Sequence, residues 1–242
     1  MLLKALPNML TVGNLFLGIV AIILAFQGLD YVSYAAITVI IGMLLDGLDG
    51  RVARMLNAQS EFGKELDSLS DVITFGVAPA FIMYVAVLQE FQLVGILITA
   101  IFPICGALRL ARFNVQAGTP GYFIGLPITA AGGVLATFAL FYQVFPKLML
   151  PLGMLLLAYL MISRVKYPNF KKVGIPKGAY WIIPVIVGLV ILVAVKFPQD
   201  FPKLVFLPLI LYALYGVKKN VEIMIKKFKK KDISDEKTLP FE

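Results

Sequence analysis

Asp46, Asp49, Asp67 and Asp71 stand three and four residues apart in the segment DGLDGRVARMLNAQSEFGKELDSLSD, between long apolar runs. Residues at i+3 and i+4 share a helix face, so each flanking helix would present one carboxylate pair. A turn between them, around Asn57, Ser60 and Gly63, can bring the two pairs together. Ionised carboxylates at membrane depth are costly and point to function. Four in one place repel strongly, and hard divalent cations remove that cost. The chain has no His and one Cys, Cys105, which excludes zinc sites, Ser-His-Asp triads and Cys-His dyads. Oxygen-only ligation points to Mg²⁺, Mn²⁺ or Ca²⁺. Two such ions about 3.5–4 Å apart, sharing carboxylates, form the arrangement used in phosphoryl chemistry.

The residues among the acids are small. Gly47, Gly50, Ala53 and Gly63 leave room beside the carboxylates for helix contact or for close approach of a bulky ligand. Arg54 lies eight residues after Asp46, on roughly the same face, where it can pair with a carboxylate or grip a phosphate. Ion pairing with Arg51, Arg54, Arg109 and Arg112 would explain the charges, but not the spacing together with the glycines.

The elements that must hold these residues are membrane helices. The chain is 60% hydrophobic and 15% charged, with a mean hydropathy of +0.90. Soluble domains run at about 45–50% apolar and about 25% charged. Several windows reach the length needed to cross a bilayer, and their continuous apolarity excludes the alternation of a β-barrel. The pattern predicts an all-α integral membrane protein with about eight spans, near 9–28, 33–55, 67–89, 91–112, 122–143, 148–163, 180–196 and 204–217. Residues 1–8 read as an interfacial lead-in, with Pro7 placed to start the first helix. That first run reads as a span rather than a cleaved leader. With the N-terminus inside, only Lys147, Lys196 and Lys203 of the 22 basic residues face outward. This bias predicts that both termini are cytoplasmic. Residues 1–217 form one membrane domain, and 218–242 form a basic cytoplasmic tail. The net charge of +8 clusters beside spans, which points to anionic lipid rather than nucleic acid.

The string D-x2-D-G-x2-A-R-x8-G-x3-D-x3-D resembles the signature of the CDP-alcohol phosphotransferases. It is met at Asp46, Asp49, Gly50, Ala53, Arg54, Gly63, Asp67 and Asp71. The strings SEFGKELDSLSDVITFGVAPA (60–80), ALRLARFN (107–114) and PNMLTVGNL (7–15) resemble the serine-accepting branch of that family. The resemblance covers about residues 5–130. It implies transfer of a phosphatidyl or archaetidyl group from CDP-diacylglycerol or CDP-archaeol to the hydroxyl of L-serine, with release of CMP. Asp46, Asp49 and Asp67 would hold one cation, and Asp49, Asp67 and Asp71 a second, as Mg²⁺ or Mn²⁺. Asp71 would be the general base. Gly50, Ala53, Arg54, Ser60 and Gly63, with Asn8 and Thr11, would line the nucleotide pocket. Arg109, Arg112 and Asn114 are the candidates for binding serine, an arginine taking its carboxylate. A homodimer in the cell membrane, with its site on the cytoplasmic side among membrane lipids, is implied in the same way.

Two other readings compete. Within the family, glycerol 3-phosphate or inositol phosphate could be the acceptor, which would need extra basic residues. A divalent-cation transporter would also bury acids, but these acids lie at one face only.

Overall fold

The computed structural model describes residues 2–115 and 122–168. The expected spans at 180–196 and 204–217, most of the basic loop and the C-terminal tail lie outside the described residues. Helix α1 covers Leu2–Phe26 and turns through a short 3-10 segment, Leu29–Tyr31, into α2, Val32–Met55. Next comes a continuous helical rod, built from α3 (Glu61–Asp71), a π-helical segment (Val72–Val77) and α4 (Ala78–Ala86). A second 3-10 turn, Leu88–Phe91, leads into α5, Gln92–Val115. Beyond it lie β1 (Tyr122–Ile124), α6 (Ile128–Leu140), α7 (Met149–Ile162) and β2 (Lys166–Pro168). The two strands pair antiparallel, with Phe123 opposite Tyr167.

Among the described residues, four stretches are long and apolar enough to cross a membrane: Ala5–Phe26, Leu29–Met55, Glu61–Ala86 and Leu88–Val115. The architecture is that of an integral membrane helix bundle. The third stretch is its axis, packed by α1, α2, α5 and α6, while α7 lies on α5. Phe75, Ile82 and Met83 on this axis are fully buried, as is Phe102 on α5. Small residues let the helices close up: Ala21 and Ala25 on α1, Ala35 and Ala36 on α2, and Ala131, Ala136 and Ala139 on α6 are all buried. In lipid the tails are as apolar as leucine, so such fit, rather than removal from water, holds helices together. The outward faces carry Phe16, Ile23, Ile41, Leu44, Leu97 and Ile104, which suits contact with acyl chains.

Four expectations shift. Helix α1 begins at Leu2 and runs through Pro7, with no separate lead-in. Proline there forfeits one intrahelical bond close to the free end of the helix, where the loss is small. The link between the second and third spans is shorter than 55–66, because α3 already begins at Glu61. The fifth helix starts at Ile128 rather than 122, since Pro127 caps it and disfavours helix in the residue before it. The stretch expected as a sixth span, 148–163, is helical as α7, but its 14 residues fall short of the four spanning stretches.

Candidate metal and nucleotide site

The α2–α3 turn brings the four aspartates together, and its geometry follows from two residues, Asn57 and Ser60. Asn57 adopts a left-handed φ of 47°, which asparagine tolerates better than most residues. Around it, Ala58 N–H donates to Ala53 O at 2.9 Å and Asn57 N–H donates to Arg54 O at 3.3 Å. That pair of bonds is a Schellman C-cap, which satisfies carbonyls α2 would otherwise leave open. Two residues later Ser60 caps α3, its Oγ accepting from Gly63 N–H at 3.0 Å. Such a cap contributes about 1 kcal/mol and fixes where the third helix begins.

The result is a cluster in which Asp46, Asp49 and Asp67 each offer a carboxylate oxygen, all within 4.8 Å of one another. Asp71 completes it: its neighbours are Asp46, within hydrogen-bonding reach, Asp67 and the Arg109 guanidinium. Asp49 and Asp71 are 5% and 7% exposed, so water cannot screen the cluster well. Thr11 Oγ1 donates to Asp49 Oδ2 at 2.7 Å, a charge-assisted bond that orients this carboxylate. Asp71 Oδ1 is buried with no hydrogen-bond partner among the described residues. Converging carboxylates, an oxygen-only donor set and an orphaned carboxylate oxygen fit a hard divalent cation.

Beside the cluster lies a cleft of about 670 Å³. Asn8, Thr11, Gly50, Ala53, Arg54, Ser60 and Gly63 line it, together with Asp49 and Asp67. The structure thus brings together all seven residues expected around a nucleotide. Two polar side chains close in on Gly63: a Cβ there would lie 2.9 Å from Asn8 Oδ1 and 3.1 Å from Ser60 Oγ. Lys64 and Phe113 also line the cleft, which composition alone did not reveal. A second crevice, about 730 Å³, opens at the opposite end of α1 and α2 around Asp30, Tyr31 and Tyr34. It holds one acid and is far from the cluster along both helices.

The three residues expected to meet serine separate. Arg109 is buried beside Asp71, with its guanidinium 5.4 Å from the Phe113 ring centre. Arg112, one turn on, points elsewhere. Its Nη1 donates to Ile162 O at 3.1 Å, and Nη2 reaches the carbonyls of Ile124, Met161 and Ser163 at 3.4 Å. Arg112 therefore ties α5 to the end of α7 and to β1, and this engagement counts against its expected role as a serine ligand. Asn114 Nδ2 donates to Ser68 Oγ at 3.0 Å, with the Glu65 carboxylate at 3.5 Å. Three further buried polar residues went unread in the sequence. Ser70 Oγ donates to Thr11 O at 3.2 Å, Thr74 Oγ1 donates to Asn14 O at 3.0 Å, and Asn14 itself is wholly enclosed. Their only sequence signal is spacing: Asn14 falls three after Thr11, and Thr74 three after Asp71.

Fold and site together define an intramembrane carboxylate cage at one end of a helix bundle, next to a cleft that carries basic side chains. Comparison with known proteins specifies the class. Residues 4–165 match the family model described as CDP-alcohol phosphatidyltransferase. The chain belongs to that family. It is 39% identical over 229 residues to CDP-diacylglycerol–serine O-phosphatidyltransferase of Helicobacter pylori strain J99, spanning 91% of this chain and 92% of that one. Over 169 residues it is 41% identical to the Bacillus subtilis strain 168 protein of the same name, covering 69% of this chain and 92% of that one. It is also 40% identical over 174 residues to archaetidylserine synthase of Methanothermobacter thermautotrophicus, with 70% and 72% covered.

Proposed function

We propose that this protein transfers a phosphatidyl-type group from a CDP-activated lipid to the hydroxyl of L-serine and releases CMP. The observation that carries this reading is the convergence of Asp46, Asp49 and Asp67 within 4.8 Å, with Asp71 adjoining, beside the Arg54-lined cleft. The names of the similar proteins supply the acceptor.

Asp46, Asp49 and Asp67 would hold one divalent cation, and Asp49, Asp67 and Asp71 a second, as Mg²⁺ or Mn²⁺. When bound, these ions offset the charge of the pyrophosphate and of departing CMP. Arg54 and Lys64 face the cleft as further counter-charges, and Asn8, Thr11 and Ser60 offer hydrogen bonds to the nucleotide. The serine oxygen attacks the lipid-side phosphorus, the bond from that phosphorus to the CMP oxygen breaks, and Asp71 takes the hydroxyl proton. Arg109, beside Asp71, binds the serine carboxylate as an ion pair. Asn114 stands at the outer edge of this acceptor site, next to Ser68 and Glu65. The cage lies at the cytoplasmic face of the cell membrane, where CDP-lipid arrives from within the bilayer and serine from the cytosol.

The test is mass spectrometry of the lipid that the purified protein makes from CDP-diacylglycerol or CDP-archaeol with Mn²⁺ or Mg²⁺. Serine is expected to yield the phosphoserine lipid, together with CMP. A product from glycerol 3-phosphate or inositol phosphate and none from serine would overturn the acceptor. Cation flux into liposomes without CMP release would overturn the transferase reading itself.

A further inference from the structure

Asn14 is completely enclosed, and neither its Oδ1 nor its Nδ2 has a hydrogen-bond partner among the described residues. An unpaired buried amide destabilises a fold, so its presence calls for a cause. Packing alone would favour an apolar residue of the same size.

Its location supplies one. On α1, Asn14 is one turn inward from Thr11, which bonds Asp49. Its Oδ1 faces Gly42 of α2, where a Cβ would lie 2.8 Å away; Gly42 is one turn inward from Asp46. Its carbonyl accepts from Thr74 Oγ1 at 3.0 Å, and Thr74 is about one turn inward from Asp71. On all three helices, therefore, Asn14 occupies the tier directly beneath the cage. Gly42 keeps that tier open, because a side chain there would strike both Oδ1 and Thr74 Cγ2, the latter at 2.9 Å.

We propose that Asn14 is a positioning residue for the carboxylate cage, its carboxamide holding the inward sides of Asp46 and Asp71 in the orientation that accepts a cation. Since neither amide atom has a partner among the described residues, both remain available to the carboxylates as these turn to take a cation. This rests on the cation-binding reading of the cage. Groups that orient metal ligands from behind are worth about 10–100-fold in metal affinity.

The experiment melts the purified full chain in detergent, with a thiol-reactive dye reporting exposure of the buried Cys105, while Mn²⁺ is titrated. Asn14→Leu, lacking the unpaired amide, is expected to melt at or above the wild type without cation. Its Mn²⁺ midpoint for thermal gain is expected to rise about 10–100-fold. Asn14→Ser, which loses the carboxamide with less change in packing, is expected to shift the midpoint in the same direction. Midpoints within twofold of the wild type in both variants would overturn the proposal, as would variants that only lower the cation-free melting temperature. If Asn14→Leu does not fold, the Asn14→Ser midpoint decides alone. A wild type without any Mn²⁺ gain would instead sink the cation-binding reading, and this inference with it.

Discussion

Replacing Asp67 by asparagine should stabilise the cation-free protein while removing its response to cation. The magnitude follows from the cage. Asp67 shares a 4.8 Å sphere of carboxylate oxygens with Asp46 and Asp49. At an effective dielectric of about 20, two unit charges at that distance repel by about 3.5 kcal/mol. Two such pairs give about 7 kcal/mol before screening by solvent and counter-charge, of the same order as the whole stability of a domain. Asp67 is only half-buried and Arg109 stands near the cluster, so a gain of about 2 kcal/mol is the working figure. For a chain of this size that corresponds to about 4–8 °C in melting temperature. The assay is dye-reported unfolding at low salt and mildly alkaline pH, first in chelator and then in millimolar Mn²⁺. In chelator, Asp67→Asn should melt above the wild type. With Mn²⁺ the wild type should rise to meet or pass it, and the variant should scarcely move. An Asp67→Asn protein that melts at or below the wild type in chelator and keeps the full Mn²⁺ gain would refute the electrostatic account of the cage.

Three further outcomes probe the site. Asp71→Asn should retain CDP-lipid binding, measured by calorimetry, and lose about 10²–10⁴-fold in CMP release, the usual worth of a general base. Near-normal turnover would remove Asp71 from that role. Arg109→Lys should raise the serine KM by about tenfold or more with little change in the CDP-lipid KM, since lysine cannot form the two-pronged carboxylate contact. Arg112→Gln should leave the serine KM alone and lower the melting temperature, because it gives up the carbonyl contacts to α7. An inverted pattern, with serine KM following Arg112, would exchange their roles.

The cage was legible in the sequence because spacing carries it. Three- and four-residue intervals fix a shared helix face whatever surrounds them, and Asn57 and Ser60 announce a turn. The long spans were legible through continuous apolarity. The shorter link at 56–60 was not, since the segment from Glu61 to Asp67 is polar and reads equally as loop; the Ser60 cap makes it helix. The start of the fifth helix was hidden because residues 122–127 are as apolar as those that follow. Arg109 and Arg112 looked equivalent at three residues apart. Which one turns toward the acids depends on how α5 is rotated against α3 and α7, and that is a property of packing. Asn14 passed as one more small polar residue in a span, because only contact with Gly42 and Thr74 shows that it is enclosed.

The wide turn at Val72–Val77, immediately after Asp71, has a consequence for how this chain tolerates change. A π-type turn accommodates one residue more than an α-turn, so the rod on either side is phased by that surplus. Removing a single residue from it would restore an ordinary helix locally. Because a π-type turn spreads its extra residue over nearly the same rotation, Asp67 and Asp71 would keep nearly their present aim relative to Ile82 and Met83, which anchor the rod in the bundle. This stretch should therefore absorb the loss of one residue far more readily than a gain, which in a rod of unchanged helix type would turn the acids by about 100° against their anchor.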